Sequence, residues 1–68
     1  MKLSYNKLRL LMIDNEMKGA DLIRAAALTP YAWKKISKNE SISVEMLMRV
    51  CKVFHCDIGD LVEVLLDE

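Results

Sequence analysis

The sequence has little glycine, proline or cysteine, no long apolar run and no net charge. Two Gly and one Pro among 68 residues, with 53% hydrophobic residues, exclude a disordered chain and indicate a compact helical protein. Crossing a bilayer as a helix takes about 18 apolar residues, and no apolar run in the sequence is nearly that long. The opening segment lacks an adequate apolar stretch and a small-residue cleavage site, so it does not resemble a signal peptide. We therefore expect a cytoplasmic protein with one domain, residues 1–68, and no membrane association.

The only two cysteines, Cys51 and Cys56, are too few for a disulfide framework. In the absence of a secretory signal, we expect both thiols to be reduced. A metal site would need more ligands than these cysteines and His55 supply at their spacing, so we expect no metal and no cofactor. A core of this size does not enclose a deep substrate pocket, and no nucleophile, general base and orienting acid occur together. An enzyme with a small-molecule substrate is therefore not expected.

Charges that cancel over the whole chain are unevenly distributed along it. Residues 1–56 contain ten basic and five acidic residues, a net charge of +5. Residues 57–68 contain five acidic and no basic residues, a net charge of −5. A chain divided in this way can present a basic face to nucleic acid despite its neutral total.

Apolar residues recur with helical spacing, which predicts five short helices. We place them at about Tyr5 to Asn15, Lys18 to Ala26, Pro30 to Ser37, Val44 to Phe54, and Ile58 to Leu65. Ser43 and Asp57 stand where the N-caps of the last two belong. Because the connections are brief, no room remains for a sheet. The predicted fold is therefore all-α, a compact five-helix bundle.

A sharp break separates the second and third predicted helices. Thr29 is placed to cap the third helix, and Pro30 occupies its first position, where a missing N–H costs nothing. Trp33 and Ile36, spaced i, i+3, should face the core, against Leu22, Leu47 and Leu61. The lysines of the same helix must then face outward. Two helices joined by about three residues have helix-turn-helix spacing, in which the second helix enters a DNA major groove.

The residues around this break resemble those of a known family. The stretches "MKGADLIRAAALTPYAWKKISKN" and "SISVEMLMRVCKVFHCDIGDLVE" are similar to the lambda Cro and repressor-like (XRE) helix-turn-helix family, from about Lys7 to about Val64. The resemblance implies a five-helix bundle of the lambda repressor-like type, with its motif at about 18–38. It also implies binding to operator DNA, usually as a dimer, and regulation of transcription.

The sequence departs from the family pattern at several positions. Ala27 occupies a turn position usually held by Gly, and Met12 stands where Arg is common. Gly19 replaces a Gln that often clamps a phosphate, so that contact would fall to a backbone N–H or to Lys18. Pro30 and Ala32 offer no hydrogen bonds where base-reading side chains often lie.

The candidate DNA-contacting residues lie around the break and on the outer face of the third helix: Lys18, Thr29, Tyr31, Ala32, Lys34, Lys35 and Lys38. Tyr31 is open to two interpretations, contact with DNA or packing at the surface. Leu10 and Ile13 lie off the main apolar stripe of the first helix. Either they are ordinary exposed apolar residues, or they or the C-terminal helix form a homodimer contact.

The expected function is sequence-specific, double-stranded DNA binding by a transcriptional regulator, most simply a repressor, that reads the major groove with helix 30–37. The alternative is a protein-interaction module, an antitoxin-like partner that keeps the fold without specific DNA binding. The neutral net charge favours the alternative, and the lysine-bearing third helix favours the regulator. The operator sequence and the sign of regulation are open at this stage.

Overall fold

The computed structural model describes residues 1–66, which form four α-helices between two short strands. The elements are β1 (Lys2–Ser4), α1 (Asn6–Asp14), α2 (Gly19–Ala26), α3 (Pro30–Ser37), α4 (Val44–Phe54) and β2 (Glu63–Leu65), with a single 3-10 turn at Ile58–Asp60 before β2. The first four predicted helices are confirmed to within a residue at each end. None of the helices in the described part of the chain is long and apolar enough to span a membrane.

The predicted fifth helix is wrong, and so is the expectation of no sheet. After the 3-10 turn the chain extends into β2, which pairs antiparallel with β1 so that Leu3 lies opposite Val64. Gly59 within the turn is a poor helix former. The Leu61 carbonyl accepts the N–H of Leu8 at 3.2 Å, satisfying a donor at the start of α1. Bonding to distant parts of the chain therefore replaces the helical bonds that local spacing predicted.

The core lies where α1, α2, α3, α4 and Leu61 meet. Its predicted members Leu22, Ile36 and Leu61 are fully buried. Trp33 and Leu47 are only half-buried and pack against its edge, which corrects the expectation that they lie within it. Ala32 takes the expected place of Trp33, because residues spaced i, i+4 share a helix face and Ala32 stands four residues before Ile36.

Tyr5 is a core residue that the apolar spacing did not single out. Its side chain is fully buried, and its hydroxyl donates to the Glu40 carbonyl at 2.6 Å. Burial raises the pKa of Tyr5, and a hydrogen bond to the Ile42 backbone partly offsets this rise. The hydrogen bond from Tyr5 to the Glu40 carbonyl joins the start of α1 to the loop after α3 and thereby fixes the position of that loop.

Arg9 makes a second link between α1 and the end of α3. Its Nη2 donates to the Ile36 carbonyl and to Asn39 Oδ1, each at 3.1 Å. The last carbonyls of a helix have no partner within it, and a cation near them is favourable. Arg9 therefore completes the C-terminal end of α3 and holds it against α1.

The turn between α2 and α3 requires an unusual backbone conformation. Ala27 lies in the left-handed region, with φ 53 and ψ 45. That region costs a residue with a Cβ roughly 1–2 kcal/mol, which accounts for the preference for Gly at such positions. Arg49 Nη1 donates to the Ala27 carbonyl at 2.9 Å, so α4 holds the turn in this conformation.

Candidate nucleic-acid interface

The start of α3 has the capping that the Thr29-Pro30 break predicts. Thr29 Oγ1 accepts the N–H of Ala32 at 3.0 Å, and Pro30 is the first residue of the helix. Only residues 27–29 separate α2 from α3. With Arg9 at the other end, α3 is held at both termini and presents one fixed outer face.

The outer face of α3 contains most of the predicted site residues. Thr29, Lys34 and Lys38 are exposed, Tyr31 is 68% exposed, and Lys35 is half-buried. Ala32 is a correction, because only 5% of its surface is exposed and its side chain packs inward. The structure therefore brings the other five α3 positions to one surface and leaves Ala32 out.

Tyr31 and Lys35 touch on this surface. They are spaced i, i+4, and the Lys35 ammonium lies 5.0 Å from the centre of the Tyr31 ring. This distance is within the range of a cation–π interaction. The two side chains line an open cleft of about 220 Å³ between the N-terminal ends of α3 and α4, together with Thr29, Ala32, Ser41, Ile42, Ser43 and Met46.

The lysines of α3 carry a positive charge that no carboxylate among the described residues neutralises. Ion pairs between described residues join Arg24 to Asp21 at 2.7 Å and Arg49 to Glu45 at 3.4 Å. Within residues 1–66, none of Lys34, Lys35 and Lys38 makes an ion pair. The outer face of α3 is therefore basic in a protein with zero net charge.

The N-terminal end of α2 lies against α3 through a close approach of Trp33 to Gly19. A Cβ on Gly19 would lie 2.6 Å from Trp33 Cε2, closer than real side chains approach. The indole thus occupies the space that any larger residue at position 19 would need. This contact gives a structural reason for the missing phosphate-clamping Gln, and it was not visible in the sequence because it joins two separate helices.

Lys18, the remaining site residue, is exposed at the N-cap position of α2. Its backbone N–H donates to Asp21 Oδ2 at 2.9 Å. This bond, followed by the hydrogen bond from Arg24, holds the pKa of Asp21 below its usual value. Lys18 and Gly19 line a groove at the N-terminal end of α2, together with Arg9, Met12, Ile13, Met17 and Trp33.

Two sets of exposed apolar residues lie on the segments expected to form a dimer contact, and further exposed apolar side chains include Val44 and Met48 on α4. Leu10 and Ile13 on α1 are 61% and 69% exposed. Val64, Leu65 and Leu66 are 45–70% exposed on and after β2, in place of the predicted C-terminal helix. The C-terminal helix suggested as a dimer contact is therefore wrong, because this segment is a strand. Leu10 and Ile13, the other suggested contact, are exposed on α1.

Cys51 and Cys56 are half-buried free thiols at the end of α4. Burial raises the pKa of Cys56, and Cys51, Asp60 and Asp57 raise it further. Among the described residues, no group of three or more His, Cys, Asp or Glu side chains is arranged to hold a metal. That both thiols are reduced and zinc-free in the purified protein stays a prediction, which thiol titration and metal analysis would check.

Two capped helices joined by a three-residue turn, with a basic outer face on the second, define a helix-turn-helix DNA-binding domain. Residues 7–67 match the model of the Cro/C1-type HTH DNA-binding domain, and the chain belongs to this family.

The structure is similar to the crystal structure of the transcriptional regulator VanUg, form II, with a TM-score of 0.90 and 38% sequence identity. The match covers 97% of this chain and 88% of that one. No curated protein matches the chain significantly. Together the family and this neighbour support a DNA-binding transcriptional regulator, and they confirm the resemblance found in the sequence.

Proposed function

We propose that this protein is a sequence-specific regulator of transcription that inserts α3 into the major groove of double-stranded DNA. The observation that carries the proposal is a helix held at both ends, whose basic outer face makes no ion pair with the described residues. A rigid helix loses little conformational entropy when it docks into the groove, so more of its contact energy appears as affinity. In this role residues 1–68 form one DNA-binding domain that acts in the cytoplasm and has no enzymatic activity.

Within this interface, different residues have different tasks. Lys34 and Lys38, exposed on the outer face of α3, neutralise phosphates along the groove walls. Thr29 and Tyr31, at the N-terminal end of the helix, lie nearer the base edges and contribute to choice of sequence. Ala32 has no direct task, because its side chain is buried.

The N-terminal end of α2 supplies a further phosphate contact. Gly19 has no side chain to offer, so the contact falls to the free backbone N–H groups of the first turn and to the ammonium of Lys18. Substitution of Lys18 by Ala should weaken binding to all sequences by a similar factor, since phosphate contacts carry no sequence information.

Repression by a homodimer is the simplest mode of action. Two copies bound to half-sites one helical turn apart, roughly 34 Å, would block access of other proteins to the DNA between them. Leu10 and Ile13 are the apolar residues of α1 available for such a contact, and Val64 to Leu66 are those of the C-terminal segment. Sedimentation of Ile13→Glu and Leu66→Glu variants would show which set, if either, forms the contact.

The test is selection of bound fragments from a genomic library by the wild-type protein, followed by affinity measurements on the selected site. We expect one enriched, roughly palindromic motif. A Thr29→Val variant should bind selected and unselected fragments more equally than wild type does. Absence of any enriched motif at low salt would overturn sequence-specific recognition.

The second candidate is an antitoxin-like module that binds a protein through its acidic, apolar C-terminal segment. The observation in its favour is the exposure of Val64, Leu65 and Leu66 beside Asp60 and Glu63. Asp60→Asn and Glu63→Gln variants distinguish the two functions. The regulator requires unchanged DNA binding in these variants, whereas the module requires loss of a protein complex while no DNA site is selected.

A further inference from the structure

We propose that Tyr31 acts through Lys35, holding its ammonium above the ring so that it reads a guanine in the major groove. This inference rests on the proposed function and gives Tyr31 and Lys35 different roles within the same site. It replaces direct DNA contact by Tyr31 with positioning of a neighbouring lysine.

Lys35 differs from the other lysines of α3 in its surroundings. Lys34 and Lys38 are exposed, whereas Lys35 is half-buried and its ammonium lies 5.0 Å from the Tyr31 ring centre. A free lysine has four rotatable bonds and loses considerable entropy when it is fixed. Contact with the ring removes part of that freedom before DNA arrives, so Lys35 is prepared to reach one position.

Lys35 lies in the cleft between the N-terminal ends of α3 and α4. Ile42 and Met46 provide apolar walls beside the lysine, which can bury its methylenes while its charged end points to solvent. Tyr31 is 68% exposed, so its ring does not belong to the core. The arrangement on the first two turns of α3 therefore presents a charge at a defined point of the outer face.

The chemistry of the major groove identifies the target. Guanine presents N7 and O6 as two adjacent acceptors, and lysine is one of the two side chains that commonly bind them. Adenine, by contrast, places an amino group beside its N7, which repels an ammonium. A lysine held in one place thus favours guanine at one position of the site, whereas a mobile lysine binds any nearby phosphate.

The first experiment tests the contact in DNA-free protein. In wild type and Tyr31→Phe, ring currents should shift the Lys35 ε-methylene signals upfield, and in Tyr31→Leu the shift should disappear. The Lys38 methylenes serve as the internal control and should not move. Equal Lys35 shifts in wild type and Tyr31→Leu would overturn the proposed positioning, whatever the protein does on DNA.

The second experiment is a double-mutant cycle on the selected DNA site, with Tyr31→Leu, Lys35→Met and their combination. Tyr31→Leu should reduce the preference for the selected site by about two- to fivefold, as expected for loss of an exposed cation–π contact. Tyr31→Phe should retain the preference, since the ring remains. The loss from Tyr31→Leu should vanish in the Lys35→Met background, because Tyr31 acts only through the lysine.

Replacement of single guanines in the site by 7-deazaguanine completes the test. One such replacement should weaken wild type but leave Lys35→Met unaffected. Additive losses in the cycle, or no guanine with this behaviour, would overturn the inference while leaving the proposed function intact. Failure to select any site would instead overturn the proposed function, and the inference with it.

Discussion

The start of α3 and the segment after α4 begin with similar sequence signals and end in different structures. Thr29 and Asp57 both occupy N-cap positions before apolar residues with helical spacing. After Thr29 the chain makes two turns of helix, whereas after Asp57 it makes one 3-10 turn and then a strand. Local signals start a helix, but contacts with distant residues decide whether it continues.

The distant contacts of the two segments differ in kind. The distant contacts of α3 are made by side chains. Ile36 packs into the core, and Arg9 of α1 donates to the Ile36 carbonyl near the end of α3. The C-terminal segment also buries the Leu61 side chain in the core, but in addition its backbone bonds elsewhere, through the Leu61 carbonyl and the pairing of β2 with β1. Side-chain contacts are compatible with a helix, but a backbone already bonded to another strand is not.

The largest expected difference between the two segments is in the cost of removing apolar side chains. Ile36→Ala should lower the free energy of unfolding by about 2–5 kcal/mol, because Ile36 is fully buried. Leu65→Ala, the matched control on β2, should cost under about 0.5 kcal/mol, because Leu65 is 45% exposed. Urea unfolding measures both, and similar costs would show that β2 is packed as tightly as α3.

The two glycines offer a second matched pair. Gly19→Ala should destabilise the protein by about 1–3 kcal/mol, because the new Cβ collides with the Trp33 indole. Gly59→Ala meets no atom within 4 Å and should be neutral or stabilising by up to about 1 kcal/mol.

Thermal unfolding of Gly19→Ala, Gly59→Ala, Trp33→Leu and the double variant Gly19→Ala with Trp33→Leu measures these effects. The double variant should be destabilised by less than the sum of its single changes, since the smaller side chain leaves room for the Cβ. A Gly19→Ala protein as stable as wild type would contradict the contact between α2 and α3.

The cap of α3 contributes a smaller amount. Thr29→Ala should cost about 1 kcal/mol, because the Ala32 N–H loses its partner. Thr29→Ser keeps the hydroxyl and serves as the control, with most of the stability retained. Chemical unfolding of the three proteins checks this, and equal stability of all three would mean that water replaces the cap without cost.

The smallest effect concerns pH. The Lys18 N–H and Arg24 lower the pKa of Asp21 in the folded protein, so its ionised form stabilises the fold. That contribution is present above the ordinary Asp value of about 3.9 and is lost as pH falls through the lower folded pKa. Asp21→Asn should flatten the acid limb of the stability–pH curve slightly and leave the alkaline limb unchanged. An acid limb that is identical in both proteins would contradict the shift.

Sequence alone predicted the four helices, the Thr29 and Ser43 caps and the exposure of Lys34 and Lys38, because these depend on spacing within a few residues. It missed the burial of Tyr5, the Gly19–Trp33 contact and the β1–β2 pairing, because each joins distant parts of the chain. Ala32 was misplaced because small residues carry little signal about which face they occupy. The Tyr31–Lys35 contact could have been found, since its i, i+4 spacing is local.

The central claim is that the basic face of α3 binds DNA, and the salt dependence of affinity tests it most directly. Each lysine at a phosphate contributes about one unit to the slope of log affinity against log salt. A Lys34/Lys35/Lys38→Ala variant should therefore bind the selected site weakly, with a slope shallower by about two to three units than that of wild type. Circular dichroism should confirm that the variant remains folded. If the folded triple variant keeps both the affinity and the slope of wild type, α3 is not the DNA-binding surface.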